Sequence, residues 1–359
     1  MLNSLRSMKS IVRFATISLV LAIALGFTGC SSLVKVKRPV KVHPVLTPLQ
    51  TANTEQLVAE VNRLAAIKSI RGKVDLQFQD TSFAESGIAE KYRTADGTVT
   101  VQRPGQILLV IQVPFFTTDV AQMTSDGMRF RVAILQGDQK YRRFVMGTNE
   151  ASYPEGDKTS PANENVDKDK KAVQTQRAVS VLSNLRPQHI TEALLINPIK
   201  VADGTGYVYA QSETYEDEPD PRLQADKNAR VVRGYYVLDE LSPPTNGFAK
   251  VIRRFWFDRV GTGGTRLARM QNYDNRGVLT TDVVYGEMRP FGEQAVMLPS
   301  LIELTRPQDR YKININYQAP ESVRLDHSYP PEAFVLQNKW GLPEKNLDEE
   351  IKRPIPANR

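Results

Sequence analysis

The chain has 359 residues, a formal net charge of +7 and a single cysteine. That length suffices for a self-supporting apolar core, and one cysteine excludes an internal disulfide, so stability must come from packing. Three of the positive charges, Arg6, Lys9 and Arg13, lie ahead of an apolar run from about residue 14 to residue 27. Cleavage after that run lowers the charge from +7 to +4, so the basic balance is partly a property of the precursor.

Basic residues, an apolar stretch and then small residues form the layout of a secretory signal over residues 1–29. The run is too short to span a bilayer, which takes roughly 20 apolar residues, and no later segment supplies them. The cysteine closes this signal in Leu25-Gly26-Phe27-Thr28-Gly29-Cys30-Ser31-Ser32. These residues resemble the lipobox of bacterial lipoprotein precursors, with Phe27 in place of the usual aliphatic residue. The resemblance implies diacylglyceryl transfer to the Cys30 thiol and a membrane anchor at Cys30. No aspartate follows Cys30, which in Gram-negative bacteria implies the outer membrane, facing the periplasm.

Residues 30–52 carry Lys35, Lys37, Arg38 and Lys41 with three prolines and no sustained apolar period. They read as a basic tether, resting on anionic headgroups or simply solvated. From Asn53 the pattern turns helical. Asn53 and Gln56 have the spacing of a capping box, and Leu57, Val58, Val61, Leu64, Ala65 and Ile67 form one stripe.

Val74, Leu76 and Phe78 then alternate with polar residues, the period of a strand with one wet face. Similar segments recur at about 88–103, 106–113, 118–124, 128–135 and 140–146, with glycine-containing turn signals between them. Ile107 to Ile111 is apolar on both faces, which predicts cover on both sides. Residues 147–171 are almost devoid of apolar side chains and read as a mobile insertion. Two helices are expected next, one near 173–182 and one opened by Pro187 as its first residue.

Strands return near 205–212, 230–239, 249–258, 264–273, 278–286, 297–305 and 310–318. The acidic run from Glu216 to Pro221 lacks the spacing and glycine turn of a calcium loop and reads as a solvated loop. Residues 340–359, polar and rich in proline, read as a loose tail.

Signatures of chemistry are sparse. Serine-elbow, zinc-pair and Walker-type motifs are missing, and Gly261-Thr262-Gly263-Gly264 lacks the third spaced glycine of a dinucleotide fingerprint, so it reads as a hairpin turn. Three histidines, His43, His189 and His327, are far apart in sequence, and no cofactor or metal is expected. In Arg253-Arg254-Phe255-Trp256-Phe257-Asp258-Arg259 the aromatic and basic residues interleave as on a nucleic-acid platform. Export argues against such a partner, and strand alternation puts Phe255 and Phe257 on one face instead. A pair of facing carboxylates would revive a hydrolase of envelope polymers. The composition reads more simply as a protein that binds rather than reacts.

Three blocks together resemble the LolA/LolB-like superfamily of outer-membrane lipoprotein-sorting proteins. The first is Leu64 through Ile70-Arg71-Gly72-Lys73-Val74. The second is Val101-Gln102-Arg103-Pro104-Gly105-Gln106-Ile107 with Val113-Pro114-Phe115-Phe116 and Ser125-Asp126-Gly127. The third runs from Phe255-Trp256-Phe257-Asp258 through Asn272 to Gly277, Leu298-Pro299 and Arg306-Pro307 to Phe334-Val335-Leu336.

The resemblance spans roughly residues 53–339. It implies a mainly β fold, an incompletely closed antiparallel barrel around a helical lid, whose apolar cavity takes acyl chains of lipids or lipoproteins. It also places Pro114, Phe115 and Phe116 at a membrane-transfer loop, in which Phe115 either projects or tucks in. From the residues alone, a curved sheet of half-apolar strands encloses more wall than a few short helices fill. Val74, Leu76, Phe78, Met128, Phe130, Val132, Ile313 and Ile315 are the expected wall, or else they pack on one another and on the helices. A structural or partner-binding envelope lipoprotein with a filled core is the alternative.

Overall fold

A computed structural model describes residues 42–81, 90–91, 94–112, 118–136, 139, 142–151, 186–200, 206–223 and 228–352. The chain divides into two compact units, Met1–Pro44 and Val45–Arg359. Of the first unit only residues 42–44 are described, and the architecture below is that of the second. Cys30, the segment 113–117 and the expected helix near 173–182 lie outside the described residues.

Helix α1 (Thr54–Ala65) starts at Asn53, whose side chain accepts from the Gln56 backbone while the Gln56 side chain accepts from the Asn53 backbone. The capping box satisfies two of the N–H groups that a helix start leaves unpaired. Leu57, Val58, Val61, Leu64 and Ala65 are its buried stripe. The first half of the sheet follows as β1 (Ser69–Asp80), β2 (Glu90–Lys91), β3 (Ala95–Gln102), β4 (Gln106–Gln112), β5 (Asp119–Asp126), β6 (Arg129–Ile134) and β7 (Arg143–Thr148). Helix α2 (Pro187–Leu194) comes next, with Pro187 in its first turn as expected.

The second half comprises β8 (Val208–Pro219), β9 (Arg230–Leu241), β10 (Val251–Asp258), β11 (Arg266–Tyr273), β12 (Leu279–Tyr285), β13 (Met288–Phe291), β14 (Val296–Pro299), β15 (Leu301–Arg306) and β16 (Tyr311–Tyr317). The closing elements are β17 (Arg324–Leu325), β18 (Glu344–Asn346) and α3 (Leu347–Lys352).

Apart from the separate β13–β14 hairpin, the strands form one sheet in the order β18-β7-β6-β5-β4-β3-β1-β16-β15-β12-β11-β10-β9-β8, with β2 and β17 also on β1. Two meanders are therefore stitched together along a single seam, β1 against β16. Every pairing is antiparallel except β18 on β7. The order does not return on itself, so the sheet is not closed.

It is nevertheless strongly curved. Helix α2 touches β3, β4 and β5 and also β15, which lies across the seam. Six strands about 4.8 Å apart span roughly 24 Å, whereas eight helical residues reach only about 12 Å, so the sheet must bend around the helix. The architecture is the one that the LolA/LolB-like resemblance implies: a mainly antiparallel, incompletely closed barrel with helices inside its curve.

Side-chain alternation assigns the faces. At the seam Val74 lies opposite Tyr317, Leu76 opposite Ile315 and Phe78 opposite Ile313, and all six are buried in the main core. Phe255 and Phe257 enter the same core and are fully buried. On β4, Ile107, Leu109 and Ile111 point inward, while Leu108 and Val110 are only half-buried. The second face expected to be covered thus has partial cover, from the short turn Pro331–Phe334 that lies on β4 and β5.

Four expectations change. Residues 45–49 of the expected tether pack on the sheet: Val45 bridges to Val232, Leu49 bridges to Val260, and Leu46 is buried, while residues 30–41 lie outside the described residues. The acidic run is not a loop: Glu216, Asp217, Glu218 and Pro219 continue β8. Its carboxylates face arginines of β9, with Asp217 on Arg230 and Glu218 on Arg233, and such cross-strand pairs offset the poor strand propensity of acidic residues. The first residues of the expected insertion belong to the fold, since Gly147 and Thr148 complete β7 and Asn149 is buried, donating to Ser125 Oγ at 2.9 Å, and residues 152–171 lie outside the described residues. The tail is not loose as far as residue 352. Leu342 packs with Ala133 and Phe144, β18 pairs with β7, and Asp348 accepts from the Thr148 hydroxyl at 2.8 Å.

Candidate ligand site between the helices and the sheet

Inside the curve, Ile190, Ala193, Leu194, Leu195, Ile196 and Ile199 press on the sheet and are buried. Where α2 ends, residues 195–199 continue without regular secondary structure. Their backbone groups need partners from elsewhere, because an unpaired buried carbonyl is destabilising. Three side chains supply them. Arg103, at the β3–β4 turn, donates to the Ile196 carbonyl at 2.6 Å and to the Ile67 carbonyl at 2.9 Å. Arg253 of β10 donates to the carbonyls of Asn197 at 2.8 Å and Pro198 at 3.2 Å. Asn62 of α1 donates to the Ile199 carbonyl at 3.0 Å and accepts from its N–H at 2.8 Å.

These side chains form a clasp. Arg103 ties the end of α1 to the end of α2 from one meander, and Arg253 holds the same segment from the other. Burial lowers the Arg103 pKa from its ordinary value, and its partners are carbonyl dipoles. Arg253 is also ion-paired with Glu240 and lies over the Phe255 ring, 5.2 Å from its centre.

The turn that carries Arg103 is built for close approach. Gly127 of the β5–β6 turn has φ +98°, and a Cβ there would sit 2.8 Å from the Pro104 carbonyl oxygen. Only glycine serves, on both counts.

Under the clasp lies a small apolar cavity of about 20 Å³, bounded by Leu64 of α1, Ile67 just beyond it, Ala193 and Leu194 of α2, and Tyr285 and Tyr317 of the sheet. The Tyr285 hydroxyl donates to the Ala193 carbonyl at 3.2 Å. The Tyr317 hydroxyl is buried with no hydrogen-bond partner among the described residues. The volume holds about one water-sized group.

Of the expected wall, Val74, Leu76, Phe78, Phe130, Val132, Ile313 and Ile315 are buried in the main core, packed with one another and with the helices. None of them bounds the small cavity. Met128 is a correction. It is 70% exposed, because β6 begins only at Arg129 and Met128 belongs to the preceding turn, beyond the reach of the inner face. Pro114, Phe115, Phe116 and Cys30 lie outside the described residues. The clasp residues were not among the expected site residues. Arg103 stands in a block quoted for its resemblance and Arg253 in a run read as strand, but nothing local marks a guanidinium whose partners are carbonyls far along the chain. Gly261 and Gly264 do form the hairpin turn between β10 and β11, with φ +122° and +87°.

His189 of α2 is the one histidine inside the curve among the described residues. Its Nδ1 is 3.1 Å from the Tyr311 hydroxyl, and burial, followed by the charges of Arg306 and Arg186, holds its pKa well below the ordinary value. The unfolded chain therefore binds a proton that the folded one refuses as pH falls below about 6.5. Unfolding free energy is expected to be constant on this account above that pH and to decline below it. His189→Gln should flatten the decline in denaturant titrations run between about pH 5 and pH 8.

No protein-family model matches the chain, and no curated protein matches it. Among solved structures it is similar to a DUF1329 family protein from Desulfovibrio piger, with 10% identity over 78% of this chain and 95% of that chain and a TM-score of 0.41. It is also similar to a LolA superfamily protein from Nitrosomonas europaea, with 11% identity over 79% of this chain and 99% of that chain and a TM-score of 0.38.

Proposed function

We propose that the protein is a lipoprotein, anchored at Cys30 in the outer membrane and facing the periplasm, that takes acyl chains of lipids or lipoproteins between its helices and its sheet. It would act as carrier or membrane acceptor in envelope biogenesis, without a reaction and without a cofactor. The observation that carries the reading is the clasp. The segment 195–199 covers an apolar cavity and is held at its edge by side-chain hydrogen bonds rather than by strand pairing.

Two opposing terms decide such an exchange. A chain of about a dozen methylenes contributes on the order of 10 kcal/mol on burial. Releasing the clasp costs about 1 kcal/mol net for each Asn62 hydrogen bond and about 1.5–3 kcal/mol for each guanidinium one, a total of the same order, so the exchange requires that the apolar stripe of α2 stays buried against the incoming chain. Pro114, Phe115 and Phe116 would form the loop that passes the cargo to the membrane.

The small volume of the cavity favours a second reading, in which the core stays filled and the protein is a structural or partner-binding envelope lipoprotein. A fluorescent fatty-acyl probe separates the two. Saturable uptake by the protein, faster in Arg253→Ala and with the fold retained by circular dichroism, is the expected result. Failure of both proteins to take up the probe would leave the filled-core reading.

A further inference from the structure

Away from the clasp, two hairpin tips meet at one end of the second meander. The β9–β10 turn is tight: Thr245 and Phe248 exchange both backbone hydrogen bonds, at 2.8 and 3.1 Å, across Asn246 and Gly247, which have φ +54° and +80°. This geometry fixes Phe248 outward, where it is 76% exposed. The β11–β12 turn is equally well fixed, because Asp274 accepts from the backbone N–H groups of Arg276 and Val278 at 2.8 and 2.9 Å. Val278 is 43% exposed. The tips are joined by the Lys250 ammonium, which donates to the Asn275 carbonyl at 2.7 Å.

Between them opens a hollow of about 340 Å³, lined by Lys250, Val251, Arg254, Tyr273, Arg276 and Gly277. Three cations face it against two carboxylates: Asp239 holds Arg254 in a bidentate pair at 2.6 and 2.8 Å, and Asp274 holds Arg276 at 3.2 Å. Lys250 makes no ion pair among the described residues, so the hollow keeps a net positive charge. Two apolar side chains held in water beside an open cationic hollow match the chemistry of a bilayer interface, where apolar groups enter the acyl boundary and cations meet phosphate.

We infer that these tips, residues 245–251 and 273–278, form a second site that docks on an anionic phospholipid surface. The hollow takes the headgroup phosphate through Lys250 and Arg276, and Phe248 and Val278 enter the interface. The site does not depend on the acyl-binding reading, since it needs neither the cavity nor the clasp.

The test is amide hydrogen exchange on the full-length protein reconstituted in vesicles of phosphatidylethanolamine, with and without phosphatidylglycerol. Exchange over 245–250 and 275–278 is expected to slow when phosphatidylglycerol is present. Removing one cation in Lys250→Gln should weaken that protection about five-fold, and Phe248→Ser should weaken it as well. Both positions are on the surface, so folding is not at stake. Equal protection in both kinds of vesicle, or protection that neither substitution changes, overturns the inference. So does the same protection produced by inorganic phosphate without vesicles, which would mark a site for free phosphate instead of a membrane.

Discussion

Arg103→Leu should lower the free energy of unfolding by about 3 kcal/mol, because two backbone carbonyls lose a charged donor and each such loss is worth roughly 1–3 kcal/mol. Those carbonyls, of Ile67 and Ile196, end the two helical segments, so the damage should be local before it is global. Amide exchange over 187–199 is expected to accelerate more than exchange in β1 and β16, and uptake of an acyl probe should quicken in parallel. Urea titration gives the first quantity and exchange mass spectrometry the second. A loss below about 1 kcal/mol, with exchange over 187–199 unchanged, would mean that the guanidinium merely decorates a segment held by packing.

Phe257→Ala should cost more, about 4 kcal/mol, and should do so without loosening the helices selectively. The side chain is fully buried on β10, where it lies opposite Tyr236 of β9 and Leu267 of β11, so truncation leaves a void in the sheet's own core. Exchange should then rise across the second meander rather than over 187–199. The contrast between the two variants separates a lid that opens from a core that melts. If Phe257→Ala speeds exchange over 187–199 as selectively as Arg103→Leu does, the helices and sheet open as one unit and the clasp has no separate role.

Much of the fold was legible because the polar and apolar periods are clean. Asn53 with Gln56 announced α1, Pro187 announced α2, and the alternation through Val74, Leu76 and Phe78 gave both the strand and its inner face. What was illegible depends on partners distant in sequence. The acidic residues of β8 look like a loop until the arginines of β9 stand opposite them. Leu342 looks like part of a tail until Ala133 and Phe144 offer it a place. Met128 has the right parity for the wall but sits one residue too early, in the turn. The candidate site was the least visible part. The carbonyls of Ile196, Asn197, Pro198 and Ile199 carry no side-chain signal, and their donors come from Asn62, Arg103 and Arg253, up to 137 positions away.

The seam between β1 and β16 also bears on how the molecule comes into being. Val74 waits for Tyr317, and Asp80 for Tyr311, so the first meander keeps one flank bare until nearly the whole polypeptide has emerged. Contacts so remote along the chain make for slow folding, and a bare β flank invites association with other chains. A chain that stops short of residue 311 would lack the last strand needed to join its halves. Synthesis errors near the C-terminus should therefore yield aggregates rather than a smaller working protein.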